Sequence, residues 1–241
     1  MVLDFDGVLV DSYSCLVKVY IEALSKHPDI EGKSREYIEG LARELVKLED
    51  YYDSIRRYNR RLLLREFLSA KSYRVDNNIL ENILRVYWEK RIEYSRIFPD
   101  AKALLEMLYG KNTLILLTDH DGEPGLKIHR IKASRLHKYF NDIIVVGEPG
   151  NPATKREGLL YIMEKYNVEP GRIVFVDDKP RVIASVEDLG VITVLRKFKP
   201  PIMKLAWMGE ARPRYTLSSL ENLYKEIHSY LGKNQHIIGE L

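Results

Sequence analysis

Cysteine is almost missing from this chain: Cys15 is the only one in 241 residues. A single thiol excludes an internal disulfide and any thiolate metal cluster, and it argues against redox chemistry. Glutamine also occurs once, while Lys, Arg and Glu are abundant, a composition that suits a heat-adapted protein. Long apolar runs are absent. Stretches such as 113–117 and 143–146 fall far short of the roughly eighteen residues a membrane-spanning helix needs, so no membrane anchor is expected. The start, Met-Val-Leu-Asp-Phe-Asp, has neither the basic segment nor the apolar core of a secretory signal, and a cytoplasmic protein is expected. A large excess of either sign of charge is lacking too. A net charge of +3 is too small to imply nucleic-acid binding, although residues 33–96 hold 15 Lys and Arg against 11 Asp and Glu.

What is present is enough apolar material to fold. Hydrophobic residues at 45% against 30% charged support a packed interior. The length suits one large domain or a core carrying a sizeable insertion. Beyond residue 98, short apolar runs at 113–117, 143–146, 173–176 and 191–195 alternate with amphipathic stretches, the pattern of a parallel α/β sheet. Helices are predicted over 155–166, over 180–189 where Pro180 suits a first turn and Gly190 a stop, and over 218–231. Val2-Leu3-Asp4-Phe5-Asp6 reads as a buried strand cut very short and followed by the turn-permitting Gly7. Residues 13–97 differ. They contain no strand-like run, and Leu41, Leu45 and Leu48, or Leu80, Ile83, Leu84 and Tyr87, recur at helical spacing. The fold class expected is therefore α/β: a Rossmann-like parallel-sheet core flanked by helices (residues 1–12 and 98–241), with an inserted all-helical cap (residues 13–97).

Three of the apolar runs end alike, in Asp4-Phe5-Asp6-Gly7, in Thr118-Asp119 and in Asp177-Asp178. Parallel strands bring their carboxyl ends to one edge, where ligands of open α/β sheets bind, so these polar groups should converge. Like charges about 4 Å apart repel by about 4 kcal/mol at an effective dielectric of 20, so the crevice calls for a cation. An all-oxygen donor set with no His or Cys cluster favours a hard ion, Mg²⁺ above all. Lys155, opening a predicted helix, adds a fixed positive charge. Carboxylate nucleophile, hydroxyl, lysine and metal together describe phosphoryl transfer.

These segments carry a resemblance. Asp4-Phe5-Asp6-Gly7-Val8-Leu9-Val10-Asp11-Ser12 resembles the first motif of the haloacid dehalogenase superfamily, residues 114–119 its second, Lys155 its third and residues 174–178 its fourth, in the family's order. The helical insertion is placed like the family's C1-type cap. The resemblance implies that Asp4 attacks phosphorus, that Asp6 protonates the leaving oxygen and then activates water, and that Thr118 binds a phosphoryl oxygen. It implies that Lys155 neutralises charge, and that Asp178, Asp4 and the backbone carbonyl of Asp6 hold Mg²⁺ with Asp177 as a further ligand or its orienter. Position 182 is Val where many members carry another acid, so the Asp177-Asp178 pair is expected to supply what that acid does.

The activity implied is Mg²⁺-dependent hydrolysis of the phosphate monoester of a small metabolite through an aspartyl-phosphate. A phosphomutase sharing the same aspartates is the alternative within the family. A dehalogenase needs no metal and usually lacks an acid at the position of Asp6. A non-catalytic protein using the basic cap to hold an anionic partner or nucleic acid is the alternative outside enzymology. Lys165 and Lys179 are spare candidates for the lysine. His120 and Asp121 border the second motif without a role, Cys15 is expected to pack, and Arg56, Arg57, Arg60, Arg61 and Arg65 are expected to form a solvated face.

Overall fold

The computed structural model describes residues 1–223 together with residues 225 and 226. Six parallel strands form the main sheet: β1 (Val2–Leu3), β4 (Ile115–Asp119), β5 (Asp142–Val146), β6 (Val174–Asp177), β7 (Ile192–Arg196) and β8 (Tyr215–Leu217). Their order is β5-β4-β1-β6-β7-β8. Chain order runs outward in both directions from β1, so the switch point where ligands bind lies at the end of this central strand. Val2 pairs in register with Ile115 on one side and Phe175 on the other.

Alternation along the strands fills both faces of the sheet. Val2, Ile115, Leu117 and Phe175 pack on one face with Leu159 and Ile162 of α7 (Lys155–Tyr166) and Ile183 of α8 (Pro180–Ala184). Leu3, Leu116, Val176 and Val194 pack on the other with Leu104 and Leu105 of α5 (Pro99–Leu108) and Ile131 of α6 (Leu126–Ala133). A strand of two residues persists at the centre because both its side chains are inaccessible, each worth about 1.5–3 kcal/mol of transfer free energy.

Four helices form the insertion: α1 (Leu16–Leu24), α2 (Arg35–Ser54), α3 (Arg60–Ala70) and α4 (Asn77–Tyr94). Ser34, Asn59 and Asp76 cap the last three, each side chain accepting a first-turn amide. These helices share a core of their own, with Val19, Tyr20, Leu45, Leu64, Leu80, Ile83 and Tyr87 at its centre. The chain leaves and re-enters the core as an antiparallel ribbon of β2 (Val10–Asp11) and β3 (Arg96–Ile97). β3 lies within the stretch expected to be wholly helical, and two residues are too few to show a period in sequence.

Two further differences from expectation concern the C-terminal third. The helix predicted over 180–189 stops at Ala184 and resumes as a 3-10 turn at Glu187–Leu189. The Ser185 hydroxyl donates back to the Val182 carbonyl and competes with the helical ladder. Between β7 and β8 the chain runs as a strap against the insertion. Met203 enters the helical core, and the carboxylate of Asp50 on α2 accepts the amides of Lys204, Leu205 and Ala206 at 2.6, 2.8 and 3.0 Å. The helix expected over 218–231 lies for the most part outside the described residues, and Leu220 and Leu223 near its start are buried against the sheet. Among the described residues no helix is long and apolar enough to cross a membrane.

Candidate active site

The site is assembled from strand ends. The Asp4 amide donates to the Val176 carbonyl at 3.0 Å, so the chain is still sheet-paired where its first carboxylate emerges. Gly7 then turns the chain at φ +78°, and a Cβ there would meet Asp178 Oδ2 at 1.9 Å. Only glycine provides both the backbone conformation and that close approach. Lys155 is delivered by the first turn of α7, whose N-cap Thr154 accepts from the Glu157 amide at 3.1 Å.

Asp4, Asp177 and Asp178 each offer a carboxylate oxygen within 4.8 Å of the others, and all three are buried. Lys155 Nζ binds the first two, 2.9 Å from Asp4 Oδ2 and 2.7 Å from Asp177 Oδ2, and lies 3.5 Å from Asp119 Oδ2. Asp177 also accepts the Lys179 amide at 2.8 Å. Burial pushes its carboxyl up to about 6 against the pull of Lys155. Burial, and then the neighbouring charge of Asp177, raise Asp178 well above the usual carboxylate range. Trp207, carried in by the strap, donates its indole N–H to Asp178 Oδ2 at 2.7 Å.

The Asp6 carboxylate is engaged elsewhere. It accepts from the Ser12 hydroxyl, from Lys127 Nζ and from both terminal nitrogens of Arg130. Asp121 bridges the same two cations, 3.0 Å from Lys127 and 3.0 Å from Arg130. Burial disfavours the charge on Asp6, yet Arg130 and Lys127 overcome it and hold the carboxyl well below its usual range.

Thr118 is buried and lines a chamber of about 20 Å³ with Asp4, Asp6, Arg60, Arg91 and Lys179. That volume holds about one water. A larger cavity of about 440 Å³ opens alongside, between the end of α2 and the starts of α7 and α8.

Residues 1–190 match the haloacid dehalogenase-like hydrolase family. The chain belongs to this family of hydrolases. A curated relative, the phosphorylated carbohydrates phosphatase of Thermotoga maritima, is 26% identical over 196 residues, covering 79% of this chain and 81% of the relative. Among solved structures, a Thermotoga maritima protein provisionally named beta-phosphoglucomutase superposes with a TM-score of 0.70 at 18% identity, over 95% of this chain and 97% of the other. The L-2-haloacid dehalogenase of Xanthobacter autotrophicus superposes with a TM-score of 0.64 at 16% identity, over 94% and 97%. At such identities the superpositions speak for the fold alone.

In this haloacid dehalogenase-like hydrolase the acidic cluster fits a hard divalent cation. Asp4 Oδ1 and Asp178 Oδ1 are buried without a hydrogen-bond partner, and unanswered carboxylate oxygens at that depth are costly. Of the residues expected at the site, Asp4, Lys155, Asp177 and Asp178 come together. The Asp6 carboxylate lines the chamber with Asp4 and Thr118 but is held by Lys127 and Arg130 rather than grouped with the other three acids. Of the spare lysines, Lys165 pairs with Asp142 on the surface at 2.7 Å, whereas Lys179 lines the chamber.

Sequence reasoning missed Lys127, Arg130 and Trp207. Lys127 and Arg130 sit three apart on α6, and such spacing is shared by countless solvated faces. It also misjudged the arginine stripe. Arg60 is 5% exposed and bridges Glu49 at 2.9 Å and Asp53 at 2.8 Å, because α3 turns that position toward α2 and α4. Arg56 and Arg57 stay exposed, and Arg61 pairs with Glu81 at 2.8 Å. Cys15 packs against the helical core, and burial raises its thiol. His120 stacks edge-on to Tyr58 at 5.2 Å and lines the chamber.

Proposed function

We propose that this hydrolase is a Mg²⁺-dependent phosphatase of a small phosphorylated metabolite in the cytoplasm, acting through an aspartyl-phosphate on Asp4. The observation that carries this reading is Asp4 itself: one oxygen rests on Lys155 while the other is buried and unengaged beside Asp177 and Asp178. Residues 1–12 and 98–241 form the catalytic core in this reading, and residues 13–97 the cap.

Mg²⁺ held by Asp4 and Asp178, with Asp177 and the Asp6 carbonyl, would neutralise charge on the phosphoryl oxygens. Lys155 orients Asp4 and shields its charge from the incoming phosphate, and Thr118 on the chamber wall binds a phosphoryl oxygen. Asp4 attacks phosphorus and the ester oxygen departs. Asp6 delivers a proton to that oxygen and takes one from the water that hydrolyses the acyl phosphate. The ionised state enforced by Lys127 and Arg130 suits the base half of this role directly. The acid half requires one of those cations to yield a carboxylate oxygen when substrate enters.

The phosphorylated-carbohydrate phosphatase of Thermotoga maritima supports a sugar phosphate as the substrate class. A dehalogenase needs no metal and would have no use for an acid at position 6. The basic stripe gives weak support to an anion-binding scaffold, since Arg60 is buried and Arg61 is paired. The small size of the chamber, with room for about one water, supports one second reading, a phosphomutase, in which exclusion of water redirects the phosphoryl group. Turnover of para-nitrophenyl phosphate with and without Mg²⁺ tests the first reading: full activity in chelator would sink it. Product analysis with a hexose phosphate separates released phosphate from an isomeric ester.

A further inference from the structure

The chamber around Asp4 is too small for more than the reacting end of a substrate, so the remainder must lie in the 440 Å³ cavity beside it. The two spaces share four wall residues: Asp53, Tyr58, Asp119 and Lys179. Both acids on this shared wall are already answered. Asp53 pairs with Arg60 at 2.8 Å, and Asp119 lies 3.5 Å from both Arg56 and Lys155.

The cations around the cavity are occupied too, with one exception. Lys155 is bound to Asp4 and Asp177, Arg156 to Asp188, and Arg181 donates to the Ser54 carbonyl. Arg56 donates to the Ala153 carbonyl at 3.0 Å. Lys179 is only 8% exposed, yet among the described residues no carboxylate lies within 4.0 Å of its ammonium. Its neighbours are the rings of Tyr13 and Trp207, with centroids 5.9 and 5.6 Å away. Asp178 and Asp119 act on this ammonium from farther off and favour its charge, but neither reaches it as a direct partner, so its hydrogen-bonding capacity is left to the ring faces and to a ligand. Lys179 lines both the chamber and the cavity, where the part of an ester beyond its phosphoryl group would pass from one into the other.

We propose that Lys179 is a specificity-determining residue that binds a second anionic group of the substrate. This inference rests on the phosphatase reading and narrows its substrate class to phosphate monoesters whose leaving group itself carries a carboxylate or a second phosphate. The size of the cavity, within the range of small-molecule sites, accommodates a body of sugar dimensions. Arg56, half exposed on the cavity wall and held only loosely by Asp119 at 3.5 Å, adds positive charge to the same space.

The test compares kcat/KM for glucose 6-phosphate, 6-phosphogluconate and fructose 1,6-bisphosphate in the wild-type enzyme, Lys179→Met and Lys179→Arg. The wild type should favour one or both doubly anionic esters, and which one it favours tells carboxylate from phosphate. Lys179→Met should reduce that preference about tenfold or more, mainly through KM, as loss of a hydrogen bond to a charged group does. Lys179→Arg should restore much of it. Equal use of all three esters by the wild type, or a preference that survives in Lys179→Met, would overturn the inference. If the methionine variant does not fold, the wild-type comparison and the arginine variant still decide. Turnover of para-nitrophenyl phosphate without any such preference leaves the phosphatase reading standing and removes this one. No Mg²⁺-dependent turnover of any ester removes both.

Discussion

Arg130 holds Asp6 by both ends of its carboxylate, Nη2 on Oδ1 and Nη1 3.2 Å from Oδ2, in a buried pocket that Lys127 completes. The pair ties α6 to the turn after β1, so a group expected to do chemistry also holds two elements together. Replacing the acid strands two buried cations, of which only Asp121 remains as partner. Asp6→Asn should therefore lower stability at neutral pH by about 3 kcal/mol, measured by urea unfolding. Because the folded-state value of Asp6 is depressed, its contribution is full above the ordinary carboxylate range and fades only as pH falls toward the depressed value. The deficit should stay constant from pH 7 to about 5 and shrink below about pH 4.

The acidic cluster should behave in the opposite sense. With Asp177 raised to about 6 and Asp178 raised as well, the folded protein binds more protons than the unfolded chain between the ordinary carboxylate value and the raised one. Chelator-treated protein should therefore gain Tm as pH falls from 7 to about 5. Mg²⁺ should flatten this trend, and so should Asp177→Asn. A metal-free Tm that instead falls steadily over that interval would show that the cluster is not electrostatically strained.

Asp4 and Asp6 should fail differently when altered. Asp4→Asn removes the anionic nucleophile, and no phosphoryl-enzyme should form. Asp6→Asn leaves the nucleophile but removes the acid and base, a loss of about 10² to 10⁴ in rate. With para-nitrophenyl phosphate, whose leaving group needs little protonation, this variant should accumulate phosphate on Asp4, seen as added phosphoryl mass on the intact protein. Labelling that persists in Asp4→Asn would mean the nucleophile is another residue.

Trp207→Phe keeps the ring near Tyr13 and Phe198 but deletes the hydrogen bond to Asp178. Groups that orient a metal-binding carboxylate typically contribute about 10- to 100-fold in metal affinity. The Mg²⁺ concentration giving half-maximal activity should rise by about tenfold, with the saturated rate changed less.

Arg60→Met leaves Glu49 and Asp53 without their shared cation at a buried site, and should cost about 3–5 kcal/mol in urea unfolding. Arg61→Ala, whose side chain is 30% exposed, should cost no more than about 1 kcal/mol. Equal effects of the two would contradict the burial of Arg60.

The sequence by itself determined what depends on neighbours along the chain. Acids and a hydroxyl following short apolar runs placed Asp4, Thr118, Asp177 and Asp178 at strand ends, and a parallel sheet has no choice but to gather such ends on one edge. Helical spacing from Leu41 to Leu48 and from Leu80 to Tyr87 marked the insertion for the same reason. Tertiary structure alone decided which charges are buried and what they meet. Arg60 and Arg61 are adjacent and chemically identical, yet one is sealed between α2 and α4 while the other reaches the surface. Lys127 and Arg130 look like any solvated pair until α6 packs over the end of β1. Trp207 reaches Asp178 from 29 residues away because Asp50 fixes the strap that carries it. Lys179 follows the fourth motif directly, but its burial without a direct ion-pair partner among the described residues is a property of everything folded around it. Local pattern records which face an element buries, whereas the desolvation of a charge depends on all the elements that close over it.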